Sequence, residues 1–151
     1  MKAFGSVDEI LDFAIGKEEE AVQLYTSLAR QTEKSWMRQV FEEFAGEERG
    51  HKAKLQAIKE GKRLLPAADK VMDLKIADYV MDVEASPGLD YQDALVLAMK
   101  EEKAAFRLYS DLAAATDDEA LRATLLGLAQ EEARHKLRFE IEYDEHVLTE
   151  D

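Results

Sequence analysis

Apolar residues recur along the chain in alternating steps of three and four, the spacing that keeps side chains on one face of an α-helix. Leu11, Ala14, Ala21, Tyr25 and Leu28 form one stripe, and Phe41, Phe44, Leu55 and Ile58 a second. Leu95, Ala98, Ala105, Tyr109 and Leu112 form a third, and Leu125, Leu128 and Phe139 a fourth. Four helices are therefore predicted. Ser6 and Glu9 have the Ser-x-x-Glu form of a capping box, which opens the first helix near Val7 and carries it to about Gln31. A polar turn beginning at Thr32 leads into a second helix over roughly 34–60, with Gly61 as its stop. Residues 61–89 are less periodic: Pro66 and Ser86-Pro87-Gly88 interrupt them, and a short helix fits 71–81. Asp90 then caps a third helix reaching about Ala115. Thr116 and Glu119 make a second capping box for a fourth helix that ends near His146.

The second half of the chain repeats the first at an offset of 84, the difference between 102 and 18. Leu11, Ala14, Glu18, Ala21, Leu24, Tyr25, Leu28 and Ala29 recur as Leu95, Ala98, Glu102, Ala105, Leu108, Tyr109, Leu112 and Ala113. Thr32, Arg38, Ala45, Glu47, Glu48, His51 and Lys52 recur as Thr116, Arg122, Ala129, Glu131, Glu132, His135 and Lys136. The expected architecture is all-α. Two duplicated helical hairpins, over about 6–60 and 90–147, are joined by a crossover over about 61–89 and close into a four-helix bundle. A connection of that length spans the bundle and brings the third helix in parallel to the second. All 151 residues are expected to form one domain.

Composition sharpens this picture mainly by exclusion. Two prolines, seven glycines and an abundance of Ala, Leu, Glu and Lys suit helices throughout. A net charge of −13 argues against nucleic acid and anionic membrane as partners, because both are bound by clustered Lys and Arg. With no cysteine, disulfides, thiolate metal sites and a Cys nucleophile are excluded. The amino terminus lacks the apolar segment of a signal peptide, and no run approaches the roughly 20 apolar residues of a membrane span. The expected location is the cytoplasm.

The chemistry lies where the stripes are interrupted. Each carries a carboxylate at its middle, alone as Glu18 and Glu102, or with a histidine as Glu48-x-x-His51 and Glu132-x-x-His135. A spacing of three sets the two side chains about 60° apart around a helix, so both face inward. Four buried carboxylates without compensation would cost many kcal/mol or be forced to hold protons. No Arg or Lys lies on these stripes, and two divalent cations would balance the four charges. Oxygen and imidazole donors suit Fe(II), Mn(II) or Zn(II). If two of the carboxylates bridge, each metal has one terminal Glu, one His and two bridging oxygens, with coordination positions left open.

Other polar residues are assigned lesser parts. Glu47 and Glu131 turn off the stripe and are expected at the surface or behind the ligands, without ligating. Glu19, Glu20, Glu42 and Glu43 are expected in solvent. Tyr25 and Tyr109 lie one helical step beyond each single glutamate, placed to hydrogen-bond a ligand, to join electron transfer or simply to fill the core. His146 is expected to be exposed, and Trp36 to pack at the end of the first hairpin.

The pattern Glu18-x-x-Ala21-x-x-x-Tyr25, Glu48-x-x-His51, Glu102-x-x-Ala105-x-x-x-Tyr109 and Glu132-x-x-His135 resembles the ferritin-like di-iron carboxylate superfamily, and within it rubrerythrin-type proteins lacking the rubredoxin domain. The resemblance covers both hairpins. It implies one iron held by Glu18 and His51 and another by Glu102 and His135, with Glu48 and Glu132 bridging. It also implies a diferrous centre that reduces hydrogen peroxide or O₂ and becomes diferric, and a homodimer. Rubrerythrins proper carry a further glutamate where this chain has Ala105, which puts their iron movement in doubt. They also carry a Cys-rich electron-feeding domain, so the reductant here would be a separate protein such as a rubredoxin-like donor. The ligand set resembles bacterioferritin too, but Arg49 or Gly50 stands where its haem-binding methionine is expected, and the fourth helix leaves no room for the fifth helix of a ferritin cage.

The leading functional expectation is a non-haem di-iron, or di-metal, oxidoreductase that removes peroxide or O₂ with an external electron donor. The alternative is ferritin-like iron storage with ferroxidase activity. A third is a metal-stabilised helical module without catalysis, holding zinc.

Overall fold

The computed structural model describes residues 7–61 and 90–146. Ser6 of the first capping box, the predicted helix over 71–81 and the breaks at Pro66 and 86–88 lie outside the described residues. Four helices form among them: α1 (Val7–Gln31), α2 (Ser35–Gly61), α3 (Tyr91–Ala114) and α4 (Glu119–His146). At 24 to 28 residues each, they are about 36–42 Å long. α1 packs along α2 and α3 along α4, so the two hairpins are the main packing units.

The residues predicted to form apolar stripes are buried, except Ala105, which is partly buried at the edge of its cluster. They divide into two clusters at opposite ends of the bundle. One gathers Ile10, Leu11 and Ala14 of α1, Leu55 and Ile58 of α2, Leu108, Tyr109 and Leu112 of α3, and Leu121, Leu125 and Leu128 of α4. The other gathers Leu24, Tyr25 and Leu28, Met37, Phe41 and Phe44, Leu95 and Ala98, and Phe139. The start of α1 thus shares an end with the finishes of α2 and α3. α2 and α3 therefore run parallel, as the crossover requires. Among the described residues no helix is long and apolar enough to cross a membrane.

The hairpin turns show why the repeat keeps Thr and Arg in both halves. Thr32 Oγ1 accepts from the Lys34 amide at 3.2 Å, and Thr116 Oγ1 accepts from the Asp118 amide at the same distance. Arg38 then donates to the Thr32 carbonyl at 3.1 Å. Arg122 does the same to the Thr116 carbonyl and adds a bond to the Ala113 carbonyl at 3.3 Å. Each guanidinium satisfies carbonyls left open by the turn. Asp90 caps α3 as its sequence predicts, accepting from the Asp93 amide at 2.8 Å. The Thr116–Glu119 capping box is corrected, however. Asp118 caps α4, its Oδ1 accepting from the Leu121 amide at 3.0 Å, while Thr116 holds the turn before it. A Thr two residues upstream and an Asp at the cap divide the work that one Thr was expected to do.

Two end residues also differ from expectation. Trp36 is 53% exposed, and its indole Nε1 donates to Glu142, 3.2 and 3.4 Å from its two oxygens. His146 is only half-exposed because its ring meets Tyr91 edge-on at 4.9 Å. Glu142 itself is buried, and the Tyr91 hydroxyl donates to it at 2.6 Å.

Because Arg122 holds two carbonyls from a half-buried position and Arg38 holds one from an exposed position, truncation should separate them. In urea unfolding of the metal-free protein, Arg122→Ala is expected to lose about 1.5–3 kcal/mol and Arg38→Ala about 1 kcal/mol or less. Equal losses would contradict the turn assignment.

Candidate metal centre

Between the two apolar clusters lies a single polar layer. α1 supplies Glu18, α2 supplies Glu48 and His51, α3 supplies Glu102, and α4 supplies Glu132 and His135, each at most 2% exposed. The layer sits mid-helix because each Glu, or each Glu-x-x-His pair, interrupts a stripe that is apolar on both sides of it, as Ala14 and Ala21 flank Glu18 and Phe44 and Leu55 flank Glu48 and His51. All six residues singled out from sequence are brought together.

Their atoms converge closely. His51 Nδ1 lies 2.9 Å from Glu48 Oε1, 3.2 Å from Glu132 Oε1 and 3.4 Å from Glu18 Oε2. His135 Nδ1 lies 3.6 Å from Glu102 Oε1, 3.6 Å from Glu132 Oε1 and 3.7 Å from Glu48 Oε1. Two overlapping groups result, Glu18–Glu48–His51–Glu132 and Glu48–Glu102–Glu132–His135, each with one donor atom per residue within 4.8 Å of the others. Glu48 and Glu132 belong to both. One buried atom of every one of the six, Glu18 Oε2, Glu48 Oε1, His51 Nδ1, Glu102 Oε2, Glu132 Oε1 and His135 Nδ1, makes no well-directed hydrogen bond. Buried polar atoms are rarely left so, and six together facing one point need a common partner. Oxygen and imidazole donors in two groups sharing two carboxylates fit a binuclear metal site.

The tyrosines tie the hairpins together through the same layer. Tyr109 of α3 donates to Glu18 Oε1 of α1 at 2.6 Å, and Tyr25 of α1 donates to Glu102 of α3. Burial, with the charges of Glu102 and Glu18 beside them, pushes both phenols well above their ordinary range, so they remain donors at neutral pH. Of the three roles open to them from sequence, hydrogen bonding to the layer's carboxylates is the one the geometry displays.

Glu47 and Glu131, expected at the surface or behind the ligands, lie on the outer side of the histidines. Glu131 of α4 contacts His51 Nε2, and Glu47 of α2 lies 3.4 Å from His135 Nε2. Each carboxylate serves the histidine of the other helix, so an in-helix spacing gave no sign of it. The one available signal was that both glutamates recur in the repeat. Phe44 also stacks on His135, with ring centroids 3.8 Å apart. Of the glutamates expected in solvent, Glu20, Glu42 and Glu43 are exposed, while Glu19 is half-buried and bonded by Lys52 at 3.0 Å.

The layer's electrostatics are those of buried acids. Burial raises Glu102 well above the ordinary carboxylate value, helped by the charge on Glu18 and opposed by the Tyr25 bond. Burial likewise raises Glu132, helped by Glu102, and raises Glu18 against the hydrogen bond from His51. His135 is lowered by burial. For His51 burial also pulls downward, but the carboxylates of Glu132, Glu18 and Glu48 close around it overcome this and raise the imidazole. Without metal, burial thus favours the protonated forms of Glu18, Glu102 and Glu132, and a metal must displace those protons.

A small cavity of about 20 Å³ reaches the layer between α1 and α3. Its walls include Phe13, Lys17, Ala21, Glu101 and Ala105, and Glu18, Glu48, Glu102 and Glu132 face it. That volume admits about one water-sized molecule.

The arrangement defines a class: a four-helix bundle whose buried Glu and His residues form two metal-binding groups sharing two carboxylates. The rubrerythrin family's sequence pattern matches residues 9–143, and the chain belongs to the rubrerythrin family. Its fold is similar to that of a Thermotoga maritima protein named as a ferritin-like diiron-carboxylate protein, with a TM-score of 0.79 and 20% identity over 96% of this chain and 99% of that one. No curated protein matches the chain.

The raised carboxylates give metal-free protein a definite pH dependence. Below the ordinary carboxylate value of 4.5, Glu102 is protonated folded or unfolded and costs nothing. As pH rises, the unfolded chain ionises freely while the folded one resists, so stability falls toward the raised folded value. In chelator, Glu102→Gln should match the parent near pH 4.5 and exceed it in stability at pH 8, the gap widening as pH rises between the two. Urea unfolding at the two pH values checks this, and a constant difference between the proteins would refute it.

Proposed function

We propose that this protein is a non-haem di-iron oxidoreductase that reduces hydrogen peroxide, or O₂, with electrons from a separate donor protein. In this reading Glu18 and His51 hold one iron, Glu102 and His135 hold the other, and Glu48 and Glu132 bridge. The observation that carries it is the set of six unpartnered buried donor atoms divided into two groups that share Glu48 and Glu132. Membership of the rubrerythrin family supports iron as the metal. An iron pair held there supplies two electrons, enough with two protons to convert one hydrogen peroxide to two waters.

The chain's own residues prepare the site for such a substrate. The cavity between α1 and α3 leads to Glu18, Glu48, Glu102 and Glu132 and has room for about one water-sized molecule, a scale that suits a very small oxidant. Tyr109 and Tyr25 hold Glu18 and Glu102 from the opposite hairpin, fixing one oxygen of each and leaving the other for a metal. Glu131 and Glu47 hold the outer nitrogens of the histidines, so that Nδ1 is the atom presented inward.

Two measurements test the reading. Protein loaded anaerobically with ferrous iron should consume one hydrogen peroxide per iron pair, far faster than ferrous iron free in buffer; a rate no greater than the free ion's would end the proposal. Glu132→Ala removes an oxygen donor common to both positions and should leave well under two irons per chain by metal analysis. Retention of two would refute the ligand assignment. Sizing the iron-loaded protein addresses storage, since a large hollow assembly that accumulates iron would replace peroxide reduction by ferroxidase function.

A further inference from the structure

We infer that the two metal positions are unequal, the one at His51 binding its ion more tightly, because Arg134 draws Glu47 away from His135 while nothing equivalent among the described residues acts on Glu131. The inference rests on the di-metal reading above. The repeat would otherwise make the positions alike, since Glu47 and Glu131, and His51 and His135, are equivalent pairs. At the place matching Arg134 the first half has Gly50, which has no side chain to reach Glu131.

The contacts around the two histidines favour the first position. Arg134 forms an ion pair with one oxygen of Glu47, leaving the other 3.4 Å from His135 Nε2. A carboxylate shared with a guanidinium is a weaker acceptor, so it polarises the imidazole less and makes Nδ1 a poorer donor to a metal. The same guanidinium lies 5.8 Å from the ring of Phe44, which stacks on His135, and so adds positive charge on the side of the second position. On the layer's inner side, His51 Nδ1 approaches its three carboxylates at 2.9–3.4 Å, whereas His135 Nδ1 stands 3.6–3.7 Å from its own. Glu131 and Glu47 are thus positioning residues of different strength, and Arg134 sets the difference. Arg134 is half in solvent and Glu131 is 41% exposed, so both can be changed without disturbing the core.

Anaerobic titration of metal-free protein with Co(II), against a competing chelator and read by the cobalt absorption spectrum, tests this without any turnover. The parent should take up two ions per chain in two separable steps. Arg134→Gln should tighten the second step several-fold and leave the first unchanged. Glu131→Gln should weaken the first step by about 10–100-fold. Variants that shift both steps alike, or neither, would overturn the inequality while leaving two-metal binding intact. Uptake of fewer than two ions by the parent would instead overturn the di-metal reading itself.

Discussion

Four carboxylates held together out of water are the constraint around which this bundle is built. Each would ionise freely at the surface, and burial alone pushes Glu18, Glu102 and Glu132 toward their protonated forms. A layer of this kind is costly unless something positive joins it, and replacing it with leucine would give a more stable bundle. Its presence in the middle of four otherwise apolar stripes is therefore the mark of function. The apolar clusters on either side keep water away and hold the helices at fixed rotations, so the donor atoms stay aimed at one another even though they repel.

The cross-hairpin bonds show how that aim is kept. Every polar residue of the layer that is held from outside is held by the opposite hairpin or the opposite long helix: Glu18 by Tyr109, Glu102 by Tyr25, His51 by Glu131 and His135 by Glu47. A ligand steadied only by its own helix would follow each small rotation of it. Reciprocal bonds make the position of each hairpin depend on the other, so the hairpins cannot slide apart without breaking hydrogen bonds in a dry interior.

Much of this was legible from the sequence, and for a physical reason. Helical geometry converts spacing into direction, so the stripes of Leu11 to Leu28 and Phe41 to Ile58 by themselves indicate which carboxylates turn inward. The repeat then multiplied a weak Glu-x-x-His signal into a set of six residues. What remained hidden depends on neighbours from other helices. Whether Glu131 reaches His51 is decided by the rotation and separation of α2 and α4, which no spacing within either helix encodes. The start of α4 was misjudged because Thr-x-x-Glu fits Thr116 and Glu119 as well as a true cap would, and only the backbone reveals that Asp118 has taken that place. Trp36 was assigned to packing by its size, but its indole N–H finds the buried carboxylate of Glu142, 106 residues away in the chain.

The duplication is most informative where its two copies disagree. The polar layer retains the twofold pattern completely: Glu, Glu, His and Tyr stand at matching places in both halves. Around it the symmetry is abandoned in a consistent direction. Phe41, Phe44 and Phe139 match Leu125, Leu128 and Leu55, so all three aromatic rings fall at the Tyr25 end and all three leucines at the Tyr109 end. Tyr25 has ring neighbours at 5.6–6.4 Å on three sides, while Tyr109 is packed by aliphatic side chains. Gly50 against Arg134 and Lys17 against Glu101 break the pattern further out. A core free to drift would scatter such exchanges between the ends, because Leu-for-Phe swaps are tolerated wherever total volume is kept. Their collection at one end leaves a symmetric set of donors in an asymmetric surround, and it is the surround that can give two chemically identical ligand sets different tasks.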